Sequence, residues 1–376
     1  MSDSSPVRIL HLVGRSHHRG AEQVALELAS ELDAYGHRSR IVAVGRGHEG
    51  ETVDDVPPLV GSVRQGPTVL LLAAWRLRRS LRRDDFDLIL AHGGAALQVG
   101  VLGGGGLPVV NQLIMGMPLD RRGPVWHLWW RWLMRRCDAV VSLTDALTRE
   151  VRDLGFRGAV ELVPNARRTA RFEGLDRQAE ADRLRRDLGI GPGQHVIGFV
   201  GHLGRQKRPD LAVEVMSELS ARGVPVHLVM AGKGPMASGV ERLVAELGLE
   251  DRVHLLGHVD DVEHVLAGID VMVLTSDDEG MPGVVIEAQM AGCPVVSFPV
   301  GGIHDLVVHG ESGVVLDGHD PAAMAEVVAG LLDDPSRLAR MSEAARVASS
   351  AFSMAAVVER YQGVLTAVAA ATPGQA

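Results

Sequence analysis

Short apolar runs alternate with helix-patterned segments along nearly the whole of this chain, and that alternation constrains its fold more than any other feature. Val7-Arg8-Ile9-Leu10-His11-Leu12-Val13 ends at Gly14 and reads as a buried strand. After a loop to Gly20, residues 21–32 place Val24, Leu28 and Leu32 on one helical side, and Tyr35-Gly36-His37 stops the helix. The pattern continues with a strand over 40–44, a helix over 69–83, strands over 87–91 and 107–110, a Trp-rich helix over 125–136 and a strand over 139–142. Apolar strands separated by helices predict a parallel sheet covered on both faces.

A second series follows the polar stretch 166–193, with strands expected at 196–200, 226–231, 253–256, 271–274 and 295–297. A chain of 376 residues exceeds what one core usually supports, so two doubly wound domains are expected. Their expected bounds are 1–170 and 171–351, and the crevice between the two sheets is the default ligand site. Periodicity alone does not assign the last helix, 352–370, to either; the expectation is that 352–376 packs back on the first domain.

Composition narrows the classes. A net charge of −9 gives no bulk basic surface for nucleic acid, and two cysteines, Cys137 and Cys293, exclude a disulfide scaffold or a cysteine-based zinc cluster. The start, Met1 to Pro6, lacks the pattern of a signal peptide, and no apolar run reaches the length of a membrane span. The expectation is a soluble, cytoplasmic protein.

Two segments point to chemistry. In Ser276-Asp277-Asp278-Glu279-Gly280-Met281-Pro282-Gly283-Val284-Val285-Ile286-Glu287, the residues Gly280, Pro282 and Gly283 separate two glutamates. Glu279 is therefore expected in a loop after a strand, and Glu287 in the first turns of the next helix. Amides near Gly283 and Val284 would then form an anion site, with a carboxylate on each side to accept sugar hydroxyls. The plainer alternative is acidic residues at a helix start and glycines making a turn. The second segment, Gly201-His202-Leu203-Gly204-Arg205-Gln206-Lys207, follows a strand and opens a helix. Lys207 is one of only two lysines in the chain. With Arg205 it could neutralise a diphosphate, the alternative being a solvated basic loop.

Together with Val229 to Pro235, Val253 to Val259, Ala291 to Val296, Gly301 to Asp305 and Gly310 to Gly313, these segments resemble the retaining nucleotide-sugar glycosyltransferases of family four, in the GT-B class. The first half agrees more loosely, through Arg19-Gly20-Ala21-Glu22, His92 and Val163-Pro164-Asn165. The resemblance implies two facing Rossmann-like domains, with the nucleotide sugar held mainly by the second. Glu287 would hold the ribose, and Glu279 the donor-sugar hydroxyls. Amides of Gly280, Met281, Pro282, Gly283 and Val284 mark the segment that would support the diphosphate, proline contributing no N–H. Lys207 and Arg205 would stabilise the departing diphosphate, and His258 and Val259 would lie near the base. Gly20 would approach the phosphates from the first domain, and His92 would hydrogen-bond the donor sugar or the acceptor. The sequence departs from the family at His202, where arginine is usual among the donor-binding residues, and at Arg19, Ala166 and Asp305.

No cofactor and no metal is expected. Asp85-Phe86-Asp87 has metal-like spacing but precedes a strand, where its acids belong on the surface, and His17-His18 reads as an exposed loop pair. The expected donor is a UDP-sugar, with GDP-mannose as the alternative; the acceptor is a hydroxyl on a glycan, a lipid carrier or a small molecule. Trp75 to Arg83 and Trp126 to Arg136 are rich in Trp and Arg. They fit either peripheral contact with an anionic membrane or core packing with a solvated arginine face. A glycoside hydrolase, a sugar-nucleotide epimerase and a non-catalytic binder are the rival readings.

Overall fold

The computed structural model describes residues 6–16, 20–47, 55–64, 66–81, 85–117 and 123–371. The chain divides into two compact units, Met1–Arg168 with Phe352–Ala376, and Thr169–Ala351.

The first unit runs β1 (Arg8–Ser16), α1 (Gly20–Ala34), β2 (Arg38–Arg46), β3 (Pro58–Val60), α2 (Pro67–Ser80), β4 (Leu88–His92), α3 (Gly94–Gly103), β5 (Val109–Leu113), α4 (Gly123–Met134), β6 (Ala139–Ser142), α5 (Asp145–Asp153) and β7 (Ala159–Leu162). Its sheet has the order β3-β2-β1-β4-β5-β6-β7, with every neighbouring pair parallel. The order reverses at β1, which lies between β2 and β4, so the connections on either side of it run over opposite faces of the sheet.

The second unit runs α6 (Arg177–Leu188), β8 (His195–Val200), α7 (Pro209–Ala221), β9 (Val226–Ala231), α8 (Ala237–Glu246), β10 (Val253–Gly257), α9 (Val262–Gly268), β11 (Val271–Leu274), α10 (Gly283–Met290), β12 (Val295–Ser297), α11 (Ile303–Leu306), β13 (Gly313–Val315), α12 (Pro321–Leu332) and α13 (Pro335–Ser349). Its parallel sheet is ordered β10-β9-β8-β11-β12-β13. Local chemistry sets the helix ends. Asp176 accepts from the amides of Gln178 and Ala179 to start α6, and Gly189 in the left-handed region (φ 68°) ends it. Asp320 and Asp334 cap α12 and α13, each followed by a proline at the first helical position.

The chain leaves the first unit at Arg168 and re-enters it at Phe352. There Arg167 and Ser353 form a one-residue parallel bridge. The last helix, α14 (Met354–Ala371), lies on the first sheet. Val357, Val358, Tyr361, Leu365 and Val368 bury one face of it against Ile9, Leu28, Leu90 and Val141. Their three- and four-residue spacing is what a helix needs to line one side.

Several strand and helix bounds need correction. β1 does not stop at Gly14 but continues to Ser16, paired to Arg46 of β2. The strand placed at 107–110 is β5, Val109–Leu113; it carries the polar pair Asn111-Gln112, both buried, which hid its length. The helix placed at 69–83 is α2, Pro67–Ser80, and Arg82 and Arg83 lie outside the described residues. Edge strands β3, β7 and β13, of three or four residues, were too short to show a period.

Candidate active site

The loops after β8, β9, β10, β11 and β12 are laced together at one edge of the second sheet, the edge where ligands bind in open parallel sheets. The amide of Gly201 donates to Ala231 (2.9 Å), that of Leu203 to Lys233 (2.9 Å), and that of Gly232 to Gly257 (2.6 Å). Backbone lies directly on backbone here. Gly301, at φ 42°, sits where a Cβ would collide with the Glu279 carbonyl oxygen, and a Cβ on Gly232 would collide with that of Gly201. The amide of Gly302 donates to the Gly280 carbonyl (2.7 Å), so the loop after β12 fixes the loop that carries Glu279.

Lys207 and Glu279, separated by 72 positions in sequence, form an ion pair at this edge. Lys207 ends a short 3-10 turn, Arg205–Lys207. That turn is tied to the acidic loop by the Asp277 amide donating to the Gln206 carbonyl (2.8 Å) and by Gln206 Nε2 donating to Asp278 (2.7 Å). Thr275 Oγ1 donates to the Arg208 carbonyl (2.8 Å), and Arg208 bridges to Asp210 (2.8 Å) and Asp277 (3.2 Å). Arg208 takes a left-handed conformation, φ 47°, which turns the chain into α7 at Pro209. Ser276 Oγ donates to the same Glu279 Oε1 that receives the lysine (2.7 Å). Oε2 makes no hydrogen bond among the described residues. The carboxylate is nearly enclosed, its side chain 9% exposed.

Four residues on from Glu279, Gly283 opens α10 behind Pro282, and no side chain caps that end. The Val285 amide already donates to the Pro282 carbonyl (3.1 Å), which leaves those of Gly283 and Val284 as donors for an anion. Met281 and Pro282 are buried under the turn, Gly283 and Val284 are half-buried, and Glu287 is half-buried in the second turn of the helix. Arg205 and Lys233 are exposed, and His202 is half-buried beside Gly204. His258 is exposed, with Nε2 3.2 Å from Asp260, and Val259 is half-buried beside it. Ser276, Thr275 and Gln206 were missed as positioning groups; for Thr275 and Ser276, polar residues directly after an apolar strand were the available signal.

In the first unit, Gly20 begins α1 after β1, and Glu22 in its first turn accepts from the Arg15 amide (3.3 Å). Arg19 and the His17-His18 pair lie outside the described residues. His92, the last residue of β4, requires a correction. Its ring is buried, and both nitrogens are engaged inside the unit: Nδ1 with Gln112 Oε1, and Nε2 with His11 Nδ1 (3.1 Å). No ring nitrogen remains for a sugar. The two imidazoles stack at 5.3 Å, and Gln112 Nε2 donates to the Tyr361 hydroxyl on α14 (2.7 Å). The directions follow from Gln112. Its Nε2 is the donor, so Oε1 must accept from His92 Nδ1–H, His92 Nε2 must accept from His11 Nδ1–H, and His11 Nε2 carries no proton. Burial pushes the His92 imidazolium down to about 4 and that of His11 well below its ordinary value, His92 adding to the latter. The Asp87 carboxyl is held down first by its hydrogen bonds from Arg8, with an ion pair at 2.6 Å, so that carboxylate is committed to the fold. Among the described residues, no group of three His, Cys, Asp or Glu side chains is placed to hold a metal ion.

Residues 180–348 match the family described as Glycosyl transferases group 1, and residues 18–171 match Glycosyltransferase Family 4. The 2-deoxystreptamine glucosyltransferase of Streptomyces kanamyceticus is 33% identical over 211 residues, covering 55% of this chain and 54% of its own. The alpha-D-kanosaminyltransferase of the same organism is 28% identical over 331 residues, covering 81% of this chain and 83% of its own. The chain thus spans about half the length of the first relative and most of the second. In fold it is similar to the crystal structure of Anabaena Alr3699/HepE in complex with UDP and glucose, with TM-score 0.79 and 20% identity over 96% of this chain and 99% of that one. With two parallel α/β sheets and both family matches in sequence order, the chain belongs to the family 4 glycosyltransferases of the GT-B fold.

Proposed function

We propose that this protein transfers a glycosyl group from a nucleotide-sugar donor to an acceptor hydroxyl with retention of anomeric configuration. The Lys207–Glu279 pair beside the uncapped start of α10 carries this reading. Glu279 Oε2 accepts a hydroxyl of the donor sugar. Lys207 spends one N–H on Glu279 and has two left for phosphate oxygens, supplemented by Arg205 and by the amides around Gly283 and Val284. Glu287 holds the ribose, His258 and Val259 flank the base, and His202 completes the donor contacts. His92 is left out.

In the reaction, the bond from the anomeric carbon to the diphosphate breaks and the bond to the acceptor oxygen forms on the same face. The acceptor proton passes to a donor phosphate oxygen. Negative charge grows on the leaving diphosphate, where fixed cations and amides stabilise the transition state more than the ground state. No metal enters the proposed chemistry. A UDP-sugar is favoured, in keeping with the UDP and glucose bound to the Anabaena neighbour, and GDP-mannose is the alternative.

Thermal shift with UDP-, GDP-, ADP- and dTDP-sugars tests donor binding. One nucleotide is expected to raise the melting temperature selectively, by about 2.7 kcal/mol of stability at a hundredfold excess over its Kd. Glu287→Ala is expected to shrink that shift. A panel with no response would remove the donor reading, and an unchanged shift in the variant would remove the ribose role. Retention is read from the anomeric proton coupling of the product, and an inverted linkage would refute it.

A further inference from the structure

The Trp- and Arg-rich helices form one layer of the first unit and carry none of the residues proposed to bind the donor. α3 lies between the other two. Gly103 of α3 packs on the backbone of Ala74 in α2, Gly94 packs on the Trp130 ring of α4, and Trp129 Nε1 donates to Gln98 of α3 (3.2 Å). Their inner faces are apolar and buried, through Ala73 and Leu77 on α2 and Trp130, Leu133 and Met134 on α4.

The outward faces are apolar as well. Leu71 is 60% exposed and Trp75 53% on α2, and Val125 is 79% exposed and Leu128 63% on α4. An arginine four residues on lies over a tryptophan in each case, Arg79 of α2 at 4.8 Å from Trp75 and Arg136, just past the end of α4, at 3.7 Å from Trp132. Residues 56–137 hold eleven arginines and no Glu, and Asp occurs there only at 84, 85, 87 and 120, outside α2, α3 and α4. This in a chain of net charge −9 is a strong local reversal. Large exposed apolar side chains interleaved with cations alone fit a surface that is anionic outside and apolar just beneath.

We infer that the outer face of α2, α3 and α4 seats this protein on an anionic lipid bilayer. Leu71, Trp75, Val125 and Leu128 enter the headgroup region, and the arginines meet lipid phosphates. No helix among the described residues is long and apolar enough to cross a membrane, so the contact is one of surface seating. The inference does not depend on the donor reading.

Flotation of the full chain with phosphatidylglycerol–phosphatidylcholine vesicles, against phosphatidylcholine alone, tests it. The protein is expected to float with the anionic vesicles at low salt and to stay behind with the neutral ones. Arg79→Glu with Arg136→Glu should lower the partition coefficient at least about 25-fold, at roughly a fivefold loss for each cation removed. Trp75→Ser with Leu128→Ser should abolish flotation that survives moderate salt. All four side chains lie outside the donor machinery, so the nucleotide-sugar thermal shift should persist in both variants and report intact folding. Failure to float with anionic vesicles, or undiminished flotation of both folded variants, would overturn the inference. Vesicle-free self-association that the same substitutions abolish would overturn it in favour of a protein partner.

Discussion

Lys207 and Glu279 were legible as separate residues, one from its place in a basic loop after a strand and the other from its spacing to Glu287. Their pairing was not legible, because nothing local relates positions 72 residues apart. The lysine cannot be read as a lone cation awaiting phosphate. It is oriented by a carboxylate that Ser276 also holds. Lys207→Ala is therefore expected to lower turnover about a hundredfold at saturating donor, the scale for losing one transition-state donor. It should also cost stability, since Glu279 stays nearly enclosed with only Ser276 on Oε1. Lys207→Arg keeps the charge and should recover part of the stability but less of the turnover, because a planar fork replaces a point charge. Single-turnover rates with melting curves separate the two effects; undiminished turnover in Lys207→Ala would exclude the leaving-group role. His92 shows the opposite limit. Its position at the end of a strand was readable, but the partners that turn it inward are His11 on β1 and Gln112 on β5, and Gln112 is in turn bonded to Tyr361 on α14.

At the scale of elements, apolar periodicity found the central strands because those are buried on both faces, and it found the edge strand β10 through its apolar Val253, Leu255 and Leu256, but it missed the edge strands β3, β7 and β13. It misjudged β5 because Asn111 and Gln112 are polar yet buried. The helix α14 was recognisable by period, but its address was not, since a stripe of apolar residues does not name the surface it covers. That surface is the first sheet, where Leu365 is fully buried among Leu28, Leu90 and Val141. Leu365→Ala should destabilise the first unit by about 2–5 kcal/mol, through lost burial and the cavity left behind. Tyr361→Phe removes only the hydroxyl, leaving Gln112 Nε2 without its acceptor in a buried site. About 1–3 kcal/mol is the expected loss. Urea titration should show both losses as shifted midpoints with little change in slope. A wild-type midpoint for Leu365→Ala would mean that α14 contributes no folding energy.

Across the whole molecule, each sheet carries a stacked histidine pair on neighbouring strands. In the first unit His11 faces His92, and in the second His227 Nδ1 lies 3.0 Å from His254 Nε2. Burial lowers all four imidazolium values, and the neighbouring imidazole adds to the shift for His11 and His227. Each histidine in the unfolded chain binds its proton near pH 6.5, above where the folded one does, so the unfolded state carries more protons as the pH falls. Stability is therefore complete above about pH 6.5 and declines below it, steepening as each further histidine is charged in the unfolded chain. His92, buried and brought down to about 4, contributes a loss of up to roughly 3 kcal/mol by that pH. Asp87 and Asp270 do not offset this. Arg8 holds Asp87 low, and for Asp270 hydrogen bonds from His195 and Val196 and the charge of Arg185 outweigh its burial, so their contributions persist until more acidic pH. His92→Gln removes one titrating imidazole and keeps a group able to bond Gln112. Melting temperatures measured from pH 7.5 down to pH 4.5 should fall less steeply for this variant than for the wild type, whatever its stability at pH 7.5. Parallel curves would show that His92 takes no part in acid unfolding.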